Sequence, residues 1–146
     1  MTFRLDHVGL PFNRTQGIGR IADFWAAFDL QVMPYAYSDP RVDHAGTAQR
    51  YRVCAGQQML FGYYETDVPE LEIRRAMELF GHIGIEVEPS LLEQLFSHDS
   101  FKHATRWGPG YLSVFVTGPY GLRLEFLARN ALVSEAELPH TIIHAA

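Results

Sequence analysis

"LDHVGL" at residues 5–10 and "FGHIGI" at 80–85 decide how this chain is read. Each sets a histidine among residues that alternate as a half-buried strand does, apolar on one side and small or polar on the other. Taken singly, His7 and His82 are each of a kind that is more often a core or surface histidine than a ligand. Two of them in the same local frame point to a duplicated unit with a shared task.

Working outward from the first stretch, Phe3–Leu10 alternates as a strand, with Leu5, His7 and Gly9 on one face and Val8 and Leu10 on the other. "TQGIGRIADFWAAFDL" then turns to helical spacing, and Ile18, Ile21, Ala22, Trp25 and Phe28 make one apolar stripe. β-Branched and aromatic runs predict three strands at about 31–38, 48–54 and 57–64, separated by the Asp39-Pro40 and Ala55-Gly56 breaks. Around the second stretch the same order returns. "DVPELEIRRAMELF" is a linking helix opened by Asp67 with Glu70 three residues on, a capping-box pattern. "FGHIGIEV" is a strand with His82, Gly84 and Glu86 on one face. "PSLLEQLF" is a helix with Ser90 and Glu93 in the same capping pattern. "HATRWG", "YLSVFVTG" and "GLRLEFLA" are strands, the last two joined by the "GPYG" turn at 118–121. The chain thus reads as α+β, a βαβββ module written twice: module one about 3–64, a linker at 65–79, module two about 80–129. Together they make one domain over 1–129, followed by a C-terminal tail at 130–146 to which no chemistry is assigned.

Composition narrows the function. The 146 residues carry a net charge of −5 and no Lys/Arg block or stripe, which argues against a nucleic-acid partner. The single cysteine, Cys54, excludes an internal disulfide framework and a cysteine-based zinc site. No apolar run approaches membrane-spanning length and "MTFRLDHVGLPF" lacks the layout of a signal peptide, so no membrane partner and a cytoplasmic location are expected.

The doubled βαβββ order, with "LDHVGL", "GHIGIEV" and "GPYGLRLEF", resembles the vicinal oxygen chelate superfamily, which includes glyoxalase I, extradiol dioxygenases, methylmalonyl-CoA epimerase and the bleomycin- and fosfomycin-resistance proteins. The resemblance spans roughly residues 3–129. It implies that the modules form a cup-shaped mixed sheet around a metal. By position His7, His82 and Glu125 match the family's ligands on the first, fifth and eighth strands. Their chemistry agrees: two imidazoles and one carboxylate suit a divalent metal and leave coordination positions open. Glu125, between Leu124 and Phe126 in a strand expected to be largely buried, is costly there unless paired or coordinating. One divalent ion per chain is expected, of iron, manganese, nickel, cobalt or zinc. His44, His98, His140 and His144 sit in polar or terminal stretches and are read as solvated.

The family often adds a glutamate or glutamine early in the fourth strand; here that place falls on Leu60 or Gln58, depending on register. The extradiol enzymes further use an acid/base histidine on that strand and a tyrosine upstream of the metal glutamate, where this chain has Gln58 and Phe115. His103, Tyr63, Tyr64 and Tyr111 are the nearby groups that could substitute, Tyr64 and His103 being the candidates retained. The cup's remaining lining is Phe61 and Tyr63, or Gln58 and Tyr64, according to which face of the strand points inward. The implied function is a metal-dependent lyase, isomerase or dioxygenase-like enzyme acting on a small molecule with adjacent oxygens. The alternative is a drug-type small-molecule binding protein of the same fold. Epimerase chemistry would ask for a further carboxylate, for which Glu86 is the local candidate. Exposed strand edges suggest a homodimer.

Overall fold

The computed structural model describes residues 5–35, 49–92, 105–108 and 111–129. The chain packs as two compact units, Met1–Arg75 and Ala76–Ala146. The first carries β1 (Val8–Asn13), α1 (Gly19–Ala26), β2 (Gln31–Pro34), β3 (Arg50–Ala55) and β4 (Gln58–Thr66). α2 (Glu70–Phe80) then leads to β5 (Ile83–Glu86), a helical turn at 89–92, β6 (Thr105–Gly108), β7 (Tyr111–Thr117) and β8 (Arg123–Arg129). Each unit is a four-stranded mixed sheet, ordered β1-β4-β3-β2 in the first and β5-β8-β7-β6 in the second. In both, the first strand pairs in parallel with the fourth and the other pairings are antiparallel. The duplicated α+β order read from the sequence is therefore present, strand for strand.

In the first unit α1 covers one sheet face. Ile21, Trp25 and the following Phe28 are buried against a face built from Leu10, Phe12, Val53, Phe61 and Tyr63. The Trp25 and Phe61 rings lie 4.9 Å apart, and Trp25 Nε1 donates to Tyr63 Oη at 3.0 Å. Side chains of this size contribute about 1.5–3 kcal/mol each when fully buried. This settles which face of β4 points away from the helix: Phe61 and Tyr63 are core, so Gly62 and Tyr64 lie on the opposite face with His7 and Gly9. In the second unit Val114, Val116, Leu122, Leu124, Phe126 and Ala128 are buried, and Glu125 and Leu127 alternate with them.

Several boundaries differ from the sequence reading. β1 begins at Val8, not Phe3, and runs on through Pro11 to Asn13. Proline is admitted because β1 is an edge strand, where one missing N–H breaks no ladder on the open side. β5 likewise begins at Ile83. Both histidines therefore stand one residue ahead of their strands rather than inside them. β4 continues through Thr66, into the expected linker. The Asp67–Glu70 capping box does not form. Pro69 opens the turn, its carbonyl accepting from the Glu72 and Ile73 amides, while Glu70 is drawn to Arg74 at 2.6 Å and Asp67 to Arg14 at 3.4 Å. Pro89, rather than Ser90, is the first helical residue of the 89–92 turn, as suits proline at a helix start; Glu93 lies outside the described residues. The "GPYG" turn is present, with Tyr120 at φ 57° and yet buried. The tail at 130–146 lies outside the described residues.

Candidate functional site

The second unit brings two of the expected ligands together. His82 Nε2 stands 3.1 Å from Glu125 Oε2. The parallel register explains the contact. Gly84 is the partner of Glu125, and a β-carbon at Gly84 would lie 3.9 Å from Oε2, so the glycine leaves room for the carboxylate to lean over β5 toward His82. The Glu125 side chain is 15% exposed and His82 48%, so the carboxylate is largely covered and the imidazole is open to solvent. Phe115, opposite Glu125 on β7, packs edge-on against the His82 ring at 5.3 Å.

The donor set fits a divalent metal. Ligands bonded at about 2.0–2.2 Å stand about 3 Å apart at a right angle and about 3.4 Å apart at a tetrahedral one, so the 3.1 Å contact is compatible with a shared ion and equally with a direct hydrogen bond. With no metal the same contact is a hydrogen bond or ion pair, Nε2 donating.

In the first unit His7 holds the position that His82 holds in the second. Val8 pairs with Phe61 as Ile83 pairs with Leu124, and a glycine follows each histidine by two residues. His7 Nδ1 lies 2.7 Å from Asp6 Oδ2. A carboxylate only accepts, so Nδ1 carries the proton, and in neutral His7 the lone pair is on Nε2, the form a metal ligand takes. His7 opens on a cavity of about 250 Å³ that is also lined by Gly9, Tyr35, Arg50, Tyr51, Met59, Gly62, Tyr63 and Tyr64. Among the described residues no three His, Cys, Asp or Glu side chains cluster to hold a metal; the second unit offers the His82–Glu125 pair and the first offers His7.

The fourth-strand position is corrected by this register. The residue of β4 that corresponds to Glu125 is Gly62, not Leu60 or Gln58. Leu60 is the extra residue of a β-bulge, since Val53 pairs with Phe61 but Cys54 pairs with Met59. The bulge re-aims the strand, and the Met59 methyl ends 4.0 Å from where a Gly62 β-carbon would be. Tyr64 is 43% exposed and lines the His7 cavity. Tyr63 carries its hydroxyl on the helix side, bonded to Trp25. Tyr111 opens β7. His103 lies outside the described residues, as do His44, His98, His140 and His144. Glu86, the carboxylate weighed for epimerase chemistry, is exposed and sits 3.6 Å from Arg129 in a surface ion pair. The sequence reading missed Asp6 and Arg50, which no spacing rule singles out. It placed Gly9 and Gly84 on the histidine faces but gave them no role, and Gly84 proves to be the residue that leaves room for the Glu125 carboxylate.

Among the described residues no helix is long and apolar enough to cross a membrane. No protein-family model matches the chain, and no curated protein does. Solved structures do. A bleomycin-binding protein complexed with bleomycin superposes with a TM-score of 0.56 at 11% identity, over 87% of this chain and 99% of that one. A Bacillus anthracis protein named for the glyoxalase family gives 0.54 at 12%, over 88% and 97%. A fosfomycin resistance protein from Listeria monocytogenes, complexed with Mn(II) and sulfate, gives 0.51 at 12%, over 94% and 98%. Identities this low speak to the fold alone, and the fold is the one these glyoxalase-family, bleomycin-binding and fosfomycin-resistance structures share.

Proposed function

We propose that the protein is a metal-dependent enzyme acting on a small molecule with two adjacent oxygens. His7, His82 and Glu125 would hold one divalent metal, drawn from one chain or shared between two. The single observation that carries this reading is the 3.1 Å approach of His82 Nε2 to a largely buried Glu125 carboxylate. The solved fosfomycin resistance protein, which holds Mn(II) in the same fold, supports it. Bound there, the metal would act as a Lewis acid toward an enolate or oxyanion. The chain's own part is to keep His7 in the tautomer with a free Nε2 through Asp6, to hold Glu125 beside His82, and to present the Tyr64 hydroxyl to the cavity. Tyr64 and His103 are the groups proposed for proton transfer.

The test is metal content. Protein purified without chelator should carry about one divalent ion per chain, and Glu125→Ala should lose most of it while keeping its circular dichroism spectrum, since the carboxylate is not core. Unchanged metal in that variant would refute the assignment.

The second reading is a binding protein without turnover. The tyrosines around the His7 cavity favour it, as does the solved bleomycin-binding relative. A cavity of about 250 Å³ is small beside the roughly 300–1,000 Å³ usual for drug-sized ligands, which favours the small substrate. Titration with bleomycin in the presence of a chelator separates the two, because sequestration of the drug should not need the metal. We also propose a homodimer, on the open edges that β1, β2, β5 and β6 present within their own sheets. Light scattering at micromolar concentration should return twice the monomer mass.

A further inference from the structure

α2 carries apolar side chains on two opposite sides. Ile73 and Met77 are buried, while Leu71 is 58% exposed and Leu79 89%. At about 100° per residue, Ile73 and Met77 flank one direction and Arg75 takes the opposite one. Leu71, Arg75 and Leu79 recur at i, i+4 and i+8, so they form a second stripe, centred on Arg75 and open to solvent.

This outer stripe is symmetric. Counting away from Arg75, Glu72 and Glu78 stand three residues off on either side and Leu71 and Leu79 four, all of them exposed. The order Leu-Glu-x-x-Arg-x-x-Glu-Leu is the same in both directions. Among the described residues the ion pairs of α2 are those of Glu70, with Arg74 at 2.6 Å and with Arg20 at 3.9 Å; Glu72, Arg75 and Glu78 have none.

A patch that reads alike in both directions is what a two-fold contact requires, because residue i of one copy meets j of the other while j meets i. With two such helices antiparallel and the axis at Arg75, Leu71 of each copy stands level with Leu79 of the other. Each Arg75 lies about 4.5 Å along the helix from the other copy's Glu72 and Glu78, within reach of its long side chain. The i, i+4, i+8 ridge is also the one that packs against a like ridge of a second helix. A lipid surface fits less well, since glutamates rather than Lys or Arg flank the leucines.

We propose that α2 pairs antiparallel with α2 of a second copy of this chain, about an axis at Arg75, with Leu71 against Leu79 and Arg75 between Glu72 and Glu78. Three helical turns make a small interface, so the association is weak and rises with concentration. It is separate from the sheet edges and independent of the metal reading.

Oxidative cross-linking captures a weak contact. It is done on the full chain with Cys54→Ser, which removes the only native thiol. Every other position changed is exposed, so the circular dichroism spectrum should hold. Arg75→Cys should link to itself about 10-fold faster than Ala76→Cys, which is exposed on the same helix roughly a quarter-turn away. Leu71→Cys and Leu79→Cys should link when mixed and not alone, since each then lies about 12 Å along the axis from its own counterpart. In sedimentation runs up to about millimolar chain, Arg75→Glu should weaken the concentration-dependent rise in mass about 10-fold, and an equal mixture with the Glu72→Arg, Glu78→Arg double variant should restore it. The proposal is overturned if Arg75→Cys links no faster than Ala76→Cys, if Leu79→Cys links to itself as readily as to Leu71→Cys, or if the charge variants associate no better mixed than apart. Failure of the sheet-edge dimer would show instead as a lower mass at micromolar concentration, with these cross-links unchanged.

Discussion

Gly62 stands on β4 at the rung that Glu125 holds on β8. The two units repeat the same register, the same parallel pairing and the same histidine one residue ahead of the strand. They differ where chemistry would differ: one carries a carboxylate beside its histidine and the other carries no side chain. The two units share a scaffold, and at this rung the first has a glycine where the second has a carboxylate.

That asymmetry makes Gly62→Glu informative. A β-carbon there meets His7 and Met59 only at ordinary contact distance, so the fold should accept the change. His7 would then have a carboxylate at the offset at which His82 has Glu125. Metal should be held more tightly, by about 10-fold or more against a competing chelator, while catechol binding weakens because a coordination position has been filled. Metal affinity unchanged, with catechol binding intact, would show that position 62 is not near the metal.

Much of this was legible in the residues. The alternation around His7 and His82, the α1 stripe and the Arg123–Leu127 faces all follow from period-two and period-3.6 patterning, because burial on one face imposes that patterning on the sequence. Strand register is not written that way. Leu60, Gln58 and Gly62 fall on alternate positions of one strand, and sequence alone puts none of them opposite Gly9. The bulge at Leu60 breaks the count that would be needed. Capping was misread at Asp67 for a related reason: Arg14 and Arg74, drawn in by tertiary structure and by helix geometry, compete for the carboxylates that the local pattern assigned to the helix start.

The opposite sheet face supplies a control. Trp25 Nε1 donates to Tyr63 Oη with both residues buried. Tyr63→Phe keeps the ring but leaves a buried indole N–H without its acceptor, at a cost of about 1–3 kcal/mol. For a chain of this size that lowers the melting temperature by roughly 2–12 °C. Metal content should not change, since Tyr63 Oη is on the helix side of the sheet. A variant that melts as the wild type does, or that loses metal, would contradict the division of the β4 faces.

The sharpest expectation concerns ring cleavage. The protein should be a poor catechol dioxygenase although its closing hairpin resembles that of one. Cleavage needs a proton taken from the bound diol and protons returned later, and a positioned acid/base group contributes roughly 100- to 10,000-fold. Phe115 lies opposite Glu125 and packs against the edge of His82, so the space beside that pair is filled by a ring with no proton to give. Gln58 is exposed at the first position of β4 and is no base near neutral pH. Tyr64 lines the His7 cavity together with Tyr35, and a neutral phenol is a weak base. Catechols should therefore bind without efficient turnover. Oxygen uptake by iron(II)-loaded protein over a panel of catechols measures this directly. Turnover of about 1 per second or faster, within the usual enzyme range, would mean that Tyr64 or His103 supplies the missing proton transfer. Tyr64→Phe and His103→Ala would then identify which.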